Sequence, residues 1–248
     1  EAMAWIRDEI GRAVGLPRVL GGIPLDEIGA TGYGLAIAAE VAAPKAGIAL
    51  KGARVAVQGY GAVGRHAARF LVERGARLVA ASDSRGTALA PGGRDLTALD
   101  AAKAKGEAVT ALPGVERLGP EAIVGADCEI WIPAARPDVI DLRNEGGLRA
   151  RLVLQGANIP IAHDAELALH RRGVLSIPDF IANAGGVIAA AVEYRGGTEA
   201  QALAVIAEKV AHNTAAVLAA VDAGAASPRA AAQALARTRV ERAMGYRR

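Results

Sequence analysis

Residues 54–64 read Arg54-Val55-Ala56-Val57-Gln58-Gly59-Tyr60-Gly61-Ala62-Val63-Gly64, a β-type run that passes without a spacer into a GxGxxG loop, and an apolar helical pattern follows over 63–74. In that setting each glycine has its own task. Gly59 permits the tight turn, Gly61 lets the backbone come close to a pyrophosphate, and Gly64 lets the helix pack on the strand. The first turn of the helix, at Ala62 and Val63, adds unpaired N–H groups and a positive dipole end. A second β-type run over 78–81 leads into Ser82-Asp83-Ser84, with Asp83 nineteen positions beyond Gly64. An acid at about that distance is placed to accept hydrogen bonds from ribose hydroxyls, which favours NAD. Arg85 pulls the other way, because a guanidinium there pairs with the extra phosphate of NADP, so NADP stays open as the second cofactor.

Working outward, further β-type runs fall at 129–132, 152–154 and 174–177, separated by helical patterns at 96–105, 120–124 and 164–171. Strands alternating with helices predict an α/β chain, a Rossmann-type doubly wound parallel sheet. Ahead of it, Met3, Ile6, Ile10 and Val14 recur at helical spacing with Arg7, Asp8 and Glu9 turned outward, so 2–14 reads as an amphipathic helix. A glycine- and proline-marked link over 15–24 leads to a helical pattern at 30–41. Beyond Asn183 the pattern is helical at 186–194, 199–221 and 228–244, broken at Gly196-Gly197 and Gly224. Three parts are expected: 1–28, an N-terminal helix and linker; 29–182, the dinucleotide-binding domain; and 183–248, C-terminal helices.

Composition narrows the classes. A chain of 248 residues that is 52% hydrophobic and 22% charged belongs with globular proteins. Its 29 basic and 26 acidic residues give a net charge of +3 without a long basic block. The densest basic stretch, Arg237, Arg239, Arg242, Arg247 and Arg248, reads as a solvated helix face rather than a nucleic-acid site. No uninterrupted apolar stretch reaches the length of about 18 residues needed to span a bilayer. The single cysteine, Cys128, sits in an apolar run and reads as a small buried side chain, and a cytoplasmic location is expected.

Several further segments carry a resemblance. Met3-Ala4-Trp5, Ala30-Thr31-Gly32-Tyr33-Gly34, the glycine loop, Ser82-Asp83-Ser84, Ile132-Pro133-Ala134-Ala135, Gly156-Ala157-Asn158 and the stretch from Pro178 through Asn183-Ala184-Gly185-Gly186-Val187 follow one another in order. Together they resemble the glutamate, leucine, phenylalanine and valine dehydrogenase family over nearly the whole chain. The last stretch is the most specific, since a generic Rossmann protein has no reason to carry it. The resemblance implies reversible oxidative deamination of an L-amino acid to a 2-oxo acid and ammonia, with a homo-oligomeric parent protein. It also implies that Thr31, Asn158 and Asn183 lie around the nicotinamide and its ribose, with Ala134 and Ala135 on the loop beside that ribose. Amide and hydroxyl groups suit this task, because they fix a carboxamide without bringing charge into the hydride path.

The same resemblance exposes a gap. The family moves protons with a lysine in a Gly-Gly-x-Lys context and with an aspartate from a preceding domain, and neither context occurs here. Lys45, Lys51, Lys103, Lys105 and Lys209 fall in linkers or on polar helix faces and read as solvated charges. His66, His163, His170 and His212 are scattered, without the spacing of a metal site. No catalytic residue is therefore expected in the chain: the resemblance implies a substrate domain missing from it, towards which 1–28 leads and 183–248 packs back. Glutamate-specific members place a serine on the helix after Gly185-Gly186, where this sequence has Ala190, which cannot donate a hydrogen bond to a side-chain carboxylate. Two other readings stay open: a catalytically inert NAD-binding regulatory module, and a different Rossmann dehydrogenase whose acid or base comes from the chain itself.

Overall fold

The computed structural model describes residues 2–246; Arg247 and Arg248 of the basic tail lie outside the described residues. Five of its strands are the β-type runs of the sequence: β1 (Arg54–Gln58), β2 (Arg77–Asp83), β5 (Ile130–Pro133), β6 (Leu152–Leu154) and β7 (Leu175–Ile177). They pair in parallel in the order β2-β1-β5-β6-β7. Two strands were not expected: β3 (Gly86–Leu89) turns back antiparallel on β2, and β4 (Glu116–Leu118) pairs antiparallel with β3 at the sheet's edge. The sheet is thus seven-stranded and mostly parallel, as in Rossmann-type α/β folds.

Both faces are covered, and side-chain alternation shows how. Val55, Val57, Ile130, Ile132, Leu152 and Leu154 bury into one layer, while Ala56, Trp131 and Val153, one residue out of step, bury into the other. The first layer is closed by α3 (Ala30–Ala42), α4 (Ala62–Glu73) and α5 (Leu96–Ala104), then by α8 (Gly185–Tyr194), α9 (Glu199–Asp222) and α10 (Pro228–Met244). The second is closed by α6 (His163–Arg171) and by the short 3-10 segment Pro120–Gly125, whose Ile123 carbonyl accepts the Trp131 indole N–H at 3.0 Å. Strand order reverses between β1 and β5, so the carboxyl ends of these neighbours open a crevice.

The 24 residues of α9 are long and apolar enough to cross a membrane by composition, yet Ala202, Ile206, Val210, Thr214, Val217 and Leu218 form a buried stripe against α3. That stripe is the pattern of a helix packed in a core. Thr198 starts α9 with a reciprocal capping box to Gln201. Cys128 is buried in the loop before β5, where burial pushes its thiol up to about 12. The tail arginines Arg237, Arg239 and Arg242 are exposed, with Arg239 donating to Asn213 at 2.8 Å.

The N-terminal helix departs from expectation. It is α1 (Ala2–Ile10), and it ends at Gly11, which takes a left-handed φ of 75°. Its apolar face is not buried: Trp5, Ile6 and Ile10 are 66%, 43% and 63% exposed. A short α2 (Leu25–Ile28) and then α3 follow; α7 (Asp179–Ala182) completes the helices.

Candidate functional site

Two adjoining clefts open at the carboxyl ends of the parallel strands. The first, about 480 Å³, is lined by Gly59, Tyr60, Gly61, Asp83, Ser84 and Lys103, with Gln58, Ser82, Pro120 and Glu121 around them. The second, about 540 Å³, is lined by Thr31, Val63, Asn158, Asn183, Gly186 and Val187, with Pro137, Gly156 and Ala157. Ala134, Ala135 and Arg136 line both, so the loop after β5 is the wall they share.

The glycine loop is built as its sequence demands. Gly59 has a φ of 90° and abuts Ala135, so a Cβ there would lie 2.6 Å from the alanine methyl. A Cβ on Gly64 would lie 2.1 Å from the Gly59 carbonyl oxygen and 2.7 Å from Val57, which is the close packing of α4 on β1. Gly61 is different: a Cβ there would meet nothing within 4 Å. The protein's own packing therefore does not require glycine at 61, whereas a ligand pressed against the N-terminus of α4 would. Gly61 is the N-cap of α4 and no side chain caps that end, which leaves the N–H groups of the first turn for an anion. Ala62 opens α4 exposed to solvent and lines neither cleft. Tyr60 contributes main chain: the residue is 2% exposed, and its hydroxyl donates to Asp100 at 3.0 Å. Burial, and then the nearby Asp100 carboxylate, raise that phenol well above its ordinary range.

At the far end of the first cleft Asp83 is more engaged than the sequence suggests. Its Oδ1 accepts from the Arg85 backbone N–H at 2.9 Å, and its Oδ2 accepts from Lys103 Nζ at 2.9 Å and the Val109 N–H at 3.0 Å. Burial raises the carboxyl's proton affinity, but Lys103 and the two backbone donors outweigh it and hold the group below the usual carboxylate range. Lys103 is thus not a solvated charge; it projects from α5 into the cleft and neutralises Asp83. The Arg85 guanidinium lies 3.9 Å from the same carboxylate and is half exposed.

In the second cleft Asn183 Nδ2 donates to Asn158 Oδ1 at 2.9 Å and makes a longer 3.4 Å contact with the Gly156 carbonyl. Asn158 Nδ2 and Asn183 Oδ1 have no hydrogen-bond partner among the described residues, which leaves one donor and one acceptor in this cleft. A primary carboxamide presents the complementary pair, one acceptor and one donor. Thr31, in the first turn of α3, stands across from α8: a methyl on Gly186 would come 3.0 Å from Thr31 Oγ1. Among the described residues lining this cleft, Arg136 carries the only charged side chain. Ala190 lies one turn along α8 from Gly186, half buried, and lines neither cleft. The residues that sequence reasoning missed are Lys103 and Arg136. Lys103 had a signal in its position on the helix after the acid-bearing strand, but its side-chain direction becomes visible only in the fold.

Fold and site together define a Rossmann-type α/β domain with a glycine-loop crevice at the switch point of its sheet. The family model for Glutamate/Leucine/Phenylalanine/Valine dehydrogenase matches residues 21–248. The chain belongs to that family. It is 38% identical to the glutamate dehydrogenase of Aeropyrum pernix over 234 residues, 88% of this chain and 56% of that protein. It is 37% identical to the NADP-specific glutamate dehydrogenase of Saccharolobus shibatae, over 78% of this chain and 48% of that protein. Its fold matches the hetero-hexameric glutamate dehydrogenase of Thermus thermophilus in a leucine-bound form, with a TM-score of 0.85 and 31% identity over 97% of this chain and 60% of that one. The chain spans about half the length of the curated relatives it matches.

Proposed function

We propose that this chain is the dinucleotide-binding domain of an amino-acid dehydrogenase that interconverts an L-amino acid with a 2-oxo acid and ammonia. The observation that carries the reading is Gly61, which no neighbour in the fold requires to be glycine, at the uncapped N-terminus of α4 and on the wall of the first cleft. The adenosine fits the first cleft, against Gly59, Gly61 and Ser84, and the pyrophosphate the N-terminus of α4 beside it, where Ala62 and Val63 supply main-chain N–H groups. The nicotinamide end fits the second, where Asn158 and Asn183 pair with its carboxamide and Thr31 and Ala134 flank its ribose. A bound dinucleotide supplies the hydride acceptor. The chain's own residues hold the ring and keep acidic groups away from the hydride path, since no carboxylate lines the second cleft among the described residues.

NAD is the cofactor that Asp83 favours, because a carboxylate repels a 2′-phosphate. NADP is the alternative, supported by Lys103 and Arg85 beside that carboxylate and by the name of the Saccharolobus shibatae relative.

The proton-transfer groups and most substrate contacts we assign to the rest of the whole protein, which the open apolar face of α1 and residues 1–28 would adjoin, with residues 183–248 returning to the same side. Ala190 would then face the substrate's side chain, and its methyl favours an aliphatic or aromatic chain over glutamate. The whole protein is proposed to be a cytoplasmic homo-oligomer. Assay of the full-length polypeptide against a panel of L-amino acids with NAD and NADP tests this. Turnover of at least one amino acid is expected; dinucleotide binding without turnover of any would replace the enzyme with an inert binding module.

A further inference from the structure

Beside the second cleft, next in sequence to residues that line it, the backbone takes a conformation that its own residue type disfavours. Ile159, next to Asn158, has a φ of 49°, and Asp138, at the end of the loop that walls both clefts, has a φ of 51°. These are the two non-glycine residues with positive φ among those described, and they are bonded: the Asp138 N–H donates to the Ile159 carbonyl at 2.9 Å. A β-branched residue in the left-handed region is strained and persists only where its surroundings hold it.

The brace on the other side of Ile159 comes from outside the clefts. The Ile159 N–H donates to Asp179 Oδ2 at 2.8 Å, and Asp179 Oδ1 accepts from Arg229 Nη2 at 3.1 Å. Arg229, in the first turn of α10, also donates through Nε to Glu166 and through Nη2 to Gln155 Oε1 at 3.0 Å. Glu166, Gln155 and Asp179 are buried, and Gln155 is itself tied to Glu166 at 2.7 Å. A planar fork that reaches three acceptors on separate elements fixes direction as well as charge.

We propose that Arg229 is a positioning residue for the dinucleotide site: through Asp179 it holds the Asn158–Ile159 turn, and through that turn the Asp138 loop, in the conformation that presents Asn158 and Asn183 to the ligand. The proposal rests on the reading that the second cleft takes the nicotinamide end. It follows that the network matters more to the nicotinamide end than to the adenosine end, which shares the loop after β5 but otherwise lies against β1, β2, α5 and the Pro120–Gly125 segment.

The test is titration of this chain with NADH, read by its fluorescence, and with ADP, which lacks the nicotinamide end. Arg229→Met and Asp179→Ala are each expected to weaken NADH about tenfold while ADP stays within about twofold. Asp179→Asn keeps an acceptor for the Ile159 N–H and is expected to lose less than Asp179→Ala. Ile159 is 59% exposed, and asparagine tolerates the left-handed region, so Ile159→Asn is expected to restore much of the NADH affinity lost in Asp179→Ala. If Arg229→Met loses ADP binding together with its fold, Arg229→Lys, which keeps the charge but not the fork, takes its place with the same expectation. Equal losses for NADH and ADP in the folded variants, no loss, or no rescue by Ile159→Asn would overturn the proposal. A wild-type chain that binds ADP but not NADH would instead overturn the reading on which it stands.

Discussion

At the scale of single residues, the glycines of the loop separate folding from binding. Gly64→Ala places a methyl against a backbone oxygen that cannot move without unpicking the β1–α4 turn, and it is expected to cost on the order of 1–3 kcal/mol or more in a denaturation experiment. Gly61→Ala meets no neighbour, so its stability should stay within about 1 kcal/mol of wild type while dinucleotide affinity falls about tenfold. Equal effects of the two on stability would remove the argument for a ligand at Gly61. The Asp83–Lys103 pair makes a second test. Lys103→Met leaves the carboxylate without its ammonium partner, and competition titrations should show NADP weakened relative to NAD by about tenfold. An unchanged ratio would mean that Lys103 has no part in choosing the cofactor.

At the scale of elements, the parallel strands are fastened by charge at the end opposite the clefts. The Arg54 guanidinium donates to Glu129 through Nε at 3.0 Å and Nη2 at 2.5 Å, and its backbone N–H donates to Glu129 Oε2 at 2.7 Å, which joins the starts of β1 and β5. The Arg54 hydrogen bond is the largest influence on Glu129 and holds its carboxyl below the usual range. A carboxyl depressed in the folded state stabilises it fully above the ordinary value near 4 and loses that contribution as pH falls through the folded value. Asp83 acts in the same sense. Melting temperature should therefore hold from about pH 7 to 5 and drop below about pH 4. Glu129→Gln should be less stable at neutral pH with a shallower acid decline, and an undiminished decline would assign the acid sensitivity elsewhere.

The same elements show what sequence could and could not reveal. β1, β5 and β6 were legible as short apolar runs between helical patterns, and α9 and α10 as long helical patterns set off by Gly196-Gly197 and Gly224; the structure shows the two-layer burial and the Thr198 and Ser227 caps behind them. β3 and β4 were not, because four and three residues at a sheet's edge carry too little pattern to distinguish strand from turn. The Arg229 network was equally silent, since its partners lie 50, 63 and 74 positions away and only the fold brings them together.

Over the whole molecule, the packed and the open surfaces divide along the chain. The sheet, α3, α4 and α9 share one continuous core, and the clefts lie at its carboxyl edge, whereas α1 leaves Trp5, Ile6 and Ile10 in solvent. In the full-length polypeptide we expect Trp5 to be covered, which its fluorescence would report as a blue shift relative to this chain; identical emission would argue against the proposed contact. The core around the sheet is nevertheless packed without such a contact among the described residues. The most direct test of the central claim is therefore calorimetric titration of this chain with NAD and with NADP. Saturable binding of at least one, displaced by ADP and weakened by Gly61→Ala, is the predicted result; heats of dilution alone with both dinucleotides, from a chain shown to be folded, would contradict it.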